Sequence, residues 1–248
     1  MSLPLEDYAV IGDTHTVALV SRHGSIDWLC LPRFDSPACF ARLLGDESHG
    51  FWSLAPCFLE AAVTRRYRPG TLVLETEYRL PEGRILVTDC MTVRQSYPEV
   101  VRRVRGLEGS VAMQMTLRIR FDYGQTVPWV QHDGLRLRAT AGPDALTLVT
   151  PIPVEGRNLS SVSSFSVSAG QEIPFVLSWH PSHEDPPRPP DALVAVEDTA
   201  SWWLNWSSQA SIPSRDRELV TRSLITLKAL TYAPTGGIVA AAPTSLPE

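Results

Sequence analysis

The chain has 248 residues, of which 44% are hydrophobic and 20% are charged, and its formal net charge is -5 at pH 7. This length and composition exclude a disordered or fibrous protein and fit one large domain or two small ones. The negative charge disfavours binding to a nucleic-acid backbone or to an anionic membrane surface. We therefore expect neither nucleic acid nor membrane as a partner.

The first residues lack the basic and apolar regions of a secretory signal, and no later stretch has the ~20 apolar residues that a membrane span requires. A soluble, cytoplasmic protein is therefore expected. The four cysteines and six histidines are scattered without the spacing of metal ligands. We expect reduced, mostly buried thiols, no metal and no cofactor.

Antiparallel β structure is predicted from about residue 8 to residue 180, where β-branched and aromatic residues alternate with polar ones in short runs. A hairpin is expected at residues 17–31, because Gly24 can adopt the positive φ of a tight turn. A second hairpin is predicted at residues 71–89, because two alternating runs there flank the turn sequence Pro81-Glu82-Gly83.

The pattern continues with strands on both sides of Glu108 and Gly109, so a turn is predicted there. Further hairpins are expected at residues 135–149 and 165–179, each around a short segment that contains glycine. So many evenly spaced hairpins indicate a large antiparallel sandwich.

Four prolines between residues 183 and 191 then break the pattern, because they fix the backbone and remove amide donors. Beyond them, Asp198 or Thr199 is a candidate N-cap for a helix whose three tryptophans should pack on the sandwich. A second, apolar helix is predicted from about 216 to 232. Its apolar face suggests an exposed patch that drives self-association.

Two segments carry a resemblance to a known family. The first reads IGDTHTVALVSRHGSIDWLCLPRFDSPACFA at residues 11–41, and the second reads RSLITLKALTYAPTGGIVAAAPTSLPE at residues 222–248. Both resemble the prokaryotic glucoamylase and trehalase-like enzymes of glycoside hydrolase family 15. The resemblance implies an N-terminal β super-sandwich, a helical linker and a C-terminal (α/α)6 barrel that hydrolyses α-glucosidic bonds with inversion.

The fold class implied for this chain is mainly β. Residues 1–190 would form the super-sandwich, 191–213 the helical linker, and 214–248 the beginning of a truncated (α/α)6 catalytic barrel. Inverting hydrolysis needs two carboxyl groups about 6.5–9.5 Å apart, and the family builds both from barrel glutamates without counterparts here. We therefore expect no catalytic residue in this chain and no turnover by the chain alone. Its partners would be the catalytic barrel and, through the barrel, an α-glucoside such as trehalose or a maltooligosaccharide.

The resemblance also suggests that the segment around residues 27–35 forms a wall of the substrate pocket, since irregular backbone after a strand is where sites tend to lie. Trp28 and Phe34 would stack on a sugar ring, as apolar sugar faces suit aromatic planes. Asp27, Arg33 and Asp35 would bind hydroxyls or fix the loop. In the competing interpretation both aromatic rings are buried, and Arg33 pairs with Asp35 or Asp27 to hold a turn.

Two other functions stay open at this point. The chain could be a free-standing carbohydrate-binding or partner-binding sandwich module whose barrel lies on another polypeptide. It could also be an enzyme in its own right, with an acid/base pair drawn from Asp13, Asp27 and Asp35. The sequence does not give the separations of these carboxylates, and Asp is common in turns.

Overall fold

The structure is a computed structural model that describes residues 3–58, 61–212 and 214–246. The strands are β1 (Tyr8–Gly12), β2 (Val17–Ser21), β3 (Ser25–Cys30), β4 (Ala38–Phe40), β5 (Phe51–Pro56), β6 (Ala62–Tyr67), β7 (Leu74–Leu80), β8 (Gly83–Met91), β9 (Glu99–Arg118), β10 (Trp129–Asp133), β11 (Arg136–Ala141), β12 (Asp144–Val149), β13 (Glu155–Arg157), β14 (Ser160–Ser168) and β15 (Glu172–Pro181). The helices are α1 (Ala192–Ser207) and α2 (Arg217–Ala229). The predicted order of a large antiparallel β structure followed by helices is confirmed.

The strands form two antiparallel sheets that share β9. The first sheet contains β1 to β5, β13, β14 and the C-terminal half of β9. The second contains β6 to β8, β10 to β12, β15 and the N-terminal half of β9. Apolar residues from both sheets form one core, in which Ile11 and Trp52 come from the first sheet and Leu74 and Phe175 from the second. Neither helix found in the described ranges has the length and apolar content to cross a membrane.

Three of the predicted hairpins are confirmed, namely β2 with β3, β7 with β8 and β11 with β12. In the first, Gly24 has a φ of 77° and its amide donates a 3.0 Å hydrogen bond to the Ser21 carbonyl oxygen. A Cβ atom at Gly24 would lie 2.6 Å from the Leu54 carbonyl oxygen. This turn therefore needs glycine both for its left-handed backbone and for its close approach to β5.

The turn predicted near Glu108 and Gly109 is wrong, because β9 runs without reversal from Glu99 to Arg118. Its residues up to Gly109 pair with β8, and its residues from Ser110 onward pair with β14. Gly109 has a left-handed φ of 61°. The glycine therefore marks the point where one long strand passes from the second sheet to the first.

The hairpin predicted at residues 165–179 is also wrong. β14 and β15 are consecutive in the chain, but they do not pair with each other. β14 pairs with the C-terminal half of β9 and β15 with its N-terminal half, as in Val167 opposite Val111 and Phe175 opposite Arg102. The turn between them moves the chain from one sheet to the other, which local sequence alone does not distinguish from a hairpin.

α1 begins earlier than predicted, because its N-cap is Asp191 instead of Asp198 or Thr199. The Asp191 carboxylate accepts hydrogen bonds from the amides of Leu193 at 2.9 Å and Val194 at 3.1 Å. Satisfying these amides fixes the start of the helix just after the prolines. α1 then packs on the outer face of the second sheet through an apolar cluster that includes Val101, Val176, Val196 and Ala200.

α2 lies close to the predicted position and has two unlike faces. Ile225 and Ala229 are buried in a cluster with Trp203 of α1. The same cluster contains Val17 and Leu72 of the sandwich, and the other two tryptophans of α1 are partly buried against it, so the predicted packing of the tryptophans on the sandwich is confirmed. On the other face, Leu219 is 70% exposed and Leu227 is 51% exposed. The helix is therefore docked on the rest of the chain and still presents an apolar patch, while self-association stays a prediction.

Candidate functional site

The loop between β3 and β4 is anchored by Phe34. The Phe34 amide donates a 2.9 Å hydrogen bond to the His15 carbonyl oxygen. Its ring is buried and packs in a cluster with Trp203 of α1 and Ile225 of α2. Phe34 therefore fixes the loop to the helices, as in the competing interpretation given above, and its ring has no face open to a ligand.

Arg33 and Asp35, on either side of Phe34, are exposed. The Arg33 Nε donates a 2.8 Å hydrogen bond to the Asp35 Oδ1. This hydrogen bonding lowers the pKa of the Asp35 carboxyl. The Arg33 guanidinium carbon also lies 5.8 Å from the ring centroid of Tyr232, just beyond the end of α2. Together the three side chains form a polar and aromatic surface where the loop meets the helices.

A buried ion pair between Arg94 and Asp13 supports the start of the loop from the protein interior. Arg94 donates a 2.7 Å hydrogen bond from Nε to the Asp13 Oδ2 and a 2.9 Å hydrogen bond from Nη2 to the Pro32 carbonyl oxygen. The other Asp13 oxygen accepts hydrogen bonds from the amides of His15 and Thr16, each at 2.9 Å. These bonds tie the β1–β2 turn to the start of the loop, so Asp13 acts here as a structural anion.

The end of α2 is tied to the same place. The Tyr232 ring lies 5.7 Å from the His15 ring, nearly perpendicular to it at 83°. The Tyr232 amide donates a 2.7 Å hydrogen bond to the Gly237 carbonyl oxygen, and the Ala233 amide donates a 2.8 Å bond to the Thr14 carbonyl oxygen. Thr14 has a left-handed φ of 66°, a strained conformation of the kind that persists where the surroundings over-determine the backbone.

Sequence reasoning missed three residues of this surface, namely His15, Arg94 and Tyr232. Tyr232 lies within the second segment that carries the family resemblance, directly before APTGG, so that segment contained a signal for it. His15 lies within the first of these segments, at residues 11–41, whereas Arg94 lies outside both. Both residues reach the loop because the β1–β2 turn, which contains His15, and the segment after β8, which contains Arg94, meet at this edge of the fold.

Trp28 is separated from this surface and is 0% exposed. Its Nε1 donates a 3.3 Å hydrogen bond to the Ala242 carbonyl oxygen, and its ring lies 6.3 Å from the Tyr123 ring. The Tyr123 hydroxyl in turn donates a 3.0 Å hydrogen bond to the Ser245 carbonyl oxygen. The predicted stacking of Trp28 on a sugar would require residues 242–246 to move away from the ring.

Asp27 lies apart from both groups, beside a cavity of about 130 Å³. Its carboxylate accepts hydrogen bonds from the Ser25 hydroxyl and, at 2.9 Å, from the Tyr8 hydroxyl, and the Arg42 Nη1 lies 3.8 Å away. Burial raises the pKa of the Asp27 carboxyl despite these partners. Of the five predicted wall residues, the structure thus brings together only the three from Arg33 to Asp35.

The arrangement is suited to binding and offers no ready acid/base pair. Asp13 is bonded to Arg94, Asp35 to Arg33, and Asp27 to Tyr8 and Ser25. Inverting hydrolysis requires two carboxyl groups that face each other across a substrate and a water. An exposed guanidinium and carboxylate beside an aromatic ring instead match the hydroxyls and apolar face of a sugar.

Comparisons with known proteins agree on one family. A model of the family described as trehalase-like, N-terminal matches residues 1–176. The trehalase of Mycobacterium tuberculosis is 32% identical over 275 residues, which cover 99% of this chain and 40% of that protein. The trehalase of Thermoplasma volcanium is 27% identical over 251 residues, which cover 98% of this chain and 40% of that protein.

A solved structure shares the fold. A bacterial glucoamylase crystallised with acarbose superposes with a TM-score of 0.63 over 93% of this chain and 41% of that chain, at 12% sequence identity. Identity this low shows likeness of fold alone. The chain spans about two fifths of the length of the curated relatives it matches. Because the family model covers most of the chain, we conclude that the chain belongs to the trehalase-like N-terminal family.

Proposed function

We propose that this chain is the N-terminal supporting domain of an inverting α-glycosidase of glycoside hydrolase family 15. Its substrates would be trehalose or short α-glucans. The observation that carries the proposal is the match of the family to residues 1–176, together with alignments that cover nearly all of this chain and two fifths of each trehalase. The catalytic acid and base would lie on a barrel domain, and this chain alone would be inactive.

The domain boundaries belong to the same proposal. Residues 1–190 form the super-sandwich, 191–213 the helical linker and 214–248 the beginning of the catalytic barrel. The N-cap at Asp191 supports the first boundary, because the last strand has ended at Pro181 and helical structure begins at Ala192. The exposed apolar face of α2 supports the boundary at residue 214, since the rest of the barrel would cover this face.

The loop surface would form one wall of the substrate pocket. Arg33 and Asp35 present a donor fork and an acceptor side by side, and Tyr232 adds an aromatic ring next to the guanidinium. Such a set can bind two neighbouring hydroxyls of a sugar while the ring contacts its apolar face. Phe34 and Asp13 would hold this wall in position from below.

The test is glucose release from trehalose, maltose and maltotriose. The 248-residue chain is assayed alone, mixed with the part of the Mycobacterium tuberculosis trehalase that lies outside the alignment and would supply the barrel, and fused to that part. The barrel part alone is the control. We expect no release by the chain or the barrel alone and release by the mixture or the fusion. Release by the chain alone would contradict the proposal and point back to Asp13, Asp27 and Asp35. Sugar binding by the chain without any complementation would favour a free-standing binding module.

The wall itself is tested in the fusion. Arg33→Ala removes a charged donor from the proposed pocket, so we expect kcat/KM for trehalose to fall by about 10- to 100-fold, the usual cost of a charged hydrogen bond. Arg22→Ala is the matched control, since Arg22 is exposed and pairs with Asp7 away from the loop. Equal kinetics for both variants would show that the loop does not contact substrate.

We also propose that the chain works in the cytoplasm. Cys30, Cys39 and Cys90 are buried as free thiols, and burial raises the pKa of Cys30 to about 11, which makes it unreactive. Buried free thiols suit a reducing compartment. Fractionation of expressing cells, with activity of the complemented enzyme as the readout, tests this location.

A further inference from the structure

A groove of about 420 Å³ opens between the two sheets, on the side of the sandwich where β10 ends the second sheet and β13 ends the first. Residues of both edge strands line the groove, together with residues at the end of β9. The lining shares no residue with the loop at residues 32–36. A volume of this size is in the range of small-molecule sites, which are largely apolar with a few polar groups.

The register of β10 explains why the groove has an apolar interior. Val130 lies opposite Ala139 of β11, and Ala139 belongs to the core that both sheets share. Residues directly opposite each other in an antiparallel pair lie on the same face of the sheet, so Val130 faces the first sheet. Leu117 and Ile119 also line the groove, and both are buried members of the same core. The groove therefore reaches from the surface to the apolar layer between the sheets.

The charged side chains at this groove are basic. Arg120 and Arg157 line it together with the imidazole of His132, and no Asp or Glu in the described ranges does so. Arg157 is exposed, so a ligand in the groove can reach its guanidinium. The groove thus combines an apolar interior with positive charge.

Arg120 adds a positive charge that is buried and uncompensated. Arg120 is 7% exposed, and its Nη1 and Nη2 donate hydrogen bonds to the carbonyl oxygens of Ile119 at 2.7 Å and Leu159 at 3.2 Å. These carbonyls satisfy hydrogen bonds but carry no net charge. Burial and, after it, the nearby charge of Arg118 lower the pKa of Arg120, and no carboxylate of the described residues acts in the opposite direction. An anion in the groove would offset this charge.

The acidic residues that neighbour these basic groups in sequence do not line the groove. The Asp122 carboxylate accepts a 2.8 Å hydrogen bond from the Thr126 hydroxyl. Asp133 follows His132 in β10, so its side chain lies on the opposite face of the strand. Glu155 is an exposed residue at the start of β13, outside the groove lining. A bound anion would therefore meet guanidinium groups without a carboxylate beside it in the groove.

We propose that this groove binds an amphiphilic organic anion, of which a medium-chain carboxylate is the simplest example. The exposed Arg157 donates to the anionic group, and Arg120 stabilises it through its charge. The hydrocarbon body enters between the sheets and packs against Leu117, Ile119 and Val130. The inference does not depend on the glycosidase proposal.

The test is calorimetric titration of the 248-residue chain with octanoate, with octanamide and acetate as matched probes. Octanamide keeps the hydrocarbon body without the charge, so we expect it to bind at least about tenfold more weakly than octanoate. Acetate keeps the charge without the body, so we expect it to bind about 100-fold more weakly or less. Absence of saturable octanoate binding would overturn the proposal. Octanamide equal to octanoate would show an apolar cleft only, acetate equal to octanoate would show a charged surface only, and either result would overturn it too.

Arginine variants locate the anionic group of the ligand. Arg157→Gln should weaken octanoate binding by about tenfold or more, because a charge-assisted hydrogen bond is lost. The matched control is Arg136→Gln, since Arg136 is also exposed but is outside the groove lining. Its affinity for octanoate should stay that of the wild type. Equal affinities in the two variants would overturn the assignment of Arg157.

A pair of variants in β10 locates the hydrocarbon body without removing an arginine. Val130→Asp places a negative charge inside the groove, so it should abolish octanoate binding by repulsion and by loss of apolar contact. Gln131→Asp places the same charge on the opposite face of the same strand, at an exposed position, and should retain binding. Retained binding in Val130→Asp, or equal loss in both variants, would overturn the placement of the ligand between the sheets.

Discussion

At the scale of single residues, Arg102 joins the two sheets. It is fully buried, and its Nε donates a 2.8 Å hydrogen bond to the Asp89 Oδ1 in the second sheet. Its Nη1 and Nη2 donate to the carbonyl oxygens of Trp52 at 2.8 Å and Gly24 at 2.7 Å, which belong to the first sheet and its first hairpin. A buried charge with this many partners is satisfied, so its removal leaves several groups without partners.

We expect Arg102→Ala to lower the free energy of unfolding by about 3–5 kcal/mol, because the Asp89 charge stays buried and uncompensated. Arg22→Ala removes an exposed ion pair with Asp7 and should cost about 0–1 kcal/mol. Urea denaturation of both variants measures the difference. Similar losses in the two variants would contradict a special role of Arg102.

Asp27 should make stability depend on pH. Burial raises the pKa of Asp27 above 3.8, so the folded state binds its proton more tightly than the unfolded state does. Its stabilising contribution is therefore complete below pH 3.8 and is lost as the pH rises through the folded-state pKa. Relative to Asp27→Asn, the wild type should lose stability across this window, as measured by urea midpoints at several pH values.

Asp35 provides the control with the opposite sign. Hydrogen bonds from Arg33 lower the pKa of Asp35, so its contribution is present above pH 3.8 and is lost as the pH falls through the lower folded-state value. Relative to Asp35→Asn, the wild type should therefore gain stability as the pH rises. The same sign for both variants would show that the pH dependence arises elsewhere.

At the scale of elements, β9 depends on Gly109 at the point where the strand changes sheet. Gly109 lies opposite Gly83, and a Cβ atom at Gly109 would lie 2.0 Å from the Glu82 carbonyl oxygen. Its φ of 61° is left-handed. Both the conformation and the close approach therefore exclude a side chain at the point where β9 changes sheet.

Gly134 allows these two effects to be separated. It has a similar φ of 58°, but a Cβ atom there would meet nothing within 4 Å. Gly134→Ala should therefore cost only the left-handed backbone penalty of about 1–2 kcal/mol. Gly109→Ala should cost a further ~1–3 kcal/mol, because the backbone of the β7–β8 turn has to shift. Equal losses of stability in thermal unfolding would mean that the backbone around Gly109 accommodates a methyl group.

The exposed face of α2 should promote self-association. Leu219 and Leu227 form an apolar patch on this helix. The double variant Leu219→Gln, Leu227→Gln should shift sedimentation towards the monomer while the unfolding midpoint stays near that of the wild type. Leu159→Gln, at an equally exposed leucine in the β13–β14 turn, is the control. A shift in the control of the same size would assign association to general surface hydrophobicity.

Sequence predicted the elements whose pairing is local. The hairpins around Gly24 and Pro81 join strands that are neighbours in the chain, so turn residues and alternation suffice to identify them. The pairing of β14 and β15 with opposite halves of β9 is non-local, and a glycine at a sheet crossing has the same local pattern as a glycine in a turn. The same limit applies to the site, where the Arg33–Asp35 pair is local but the contact with Tyr232 is not.

At the scale of the whole molecule, the shared strand makes the two sheets one structural unit. β9 pairs with β8 and β15 in the second sheet and with β5 and β14 in the first. Neither sheet can lose β9 without exposing the common core, in which residues of both sheets pack together. The super-sandwich should therefore unfold as a single cooperative unit.

Calorimetry tests this expectation. We expect one transition in which the calorimetric and van't Hoff enthalpies agree, with coincident changes in near-UV and far-UV circular dichroism. Two resolved transitions would show that the sheets are separate cooperative units despite the shared strand.

The path of β9 also has a consequence during synthesis on the ribosome. β5 is already available when residues 113–118 emerge, but β14, which pairs with residues 110–117 on the other side, lies at Ser160–Ser168. At a translation rate of about 5–20 residues per second, the nascent chain waits roughly 2–10 seconds for that strand. During this wait the apolar residues of β9 have an open edge, which is a template for wrong pairing. The order of the strands in the gene, more than the stability of the finished fold, therefore sets when the nascent chain most needs a chaperone.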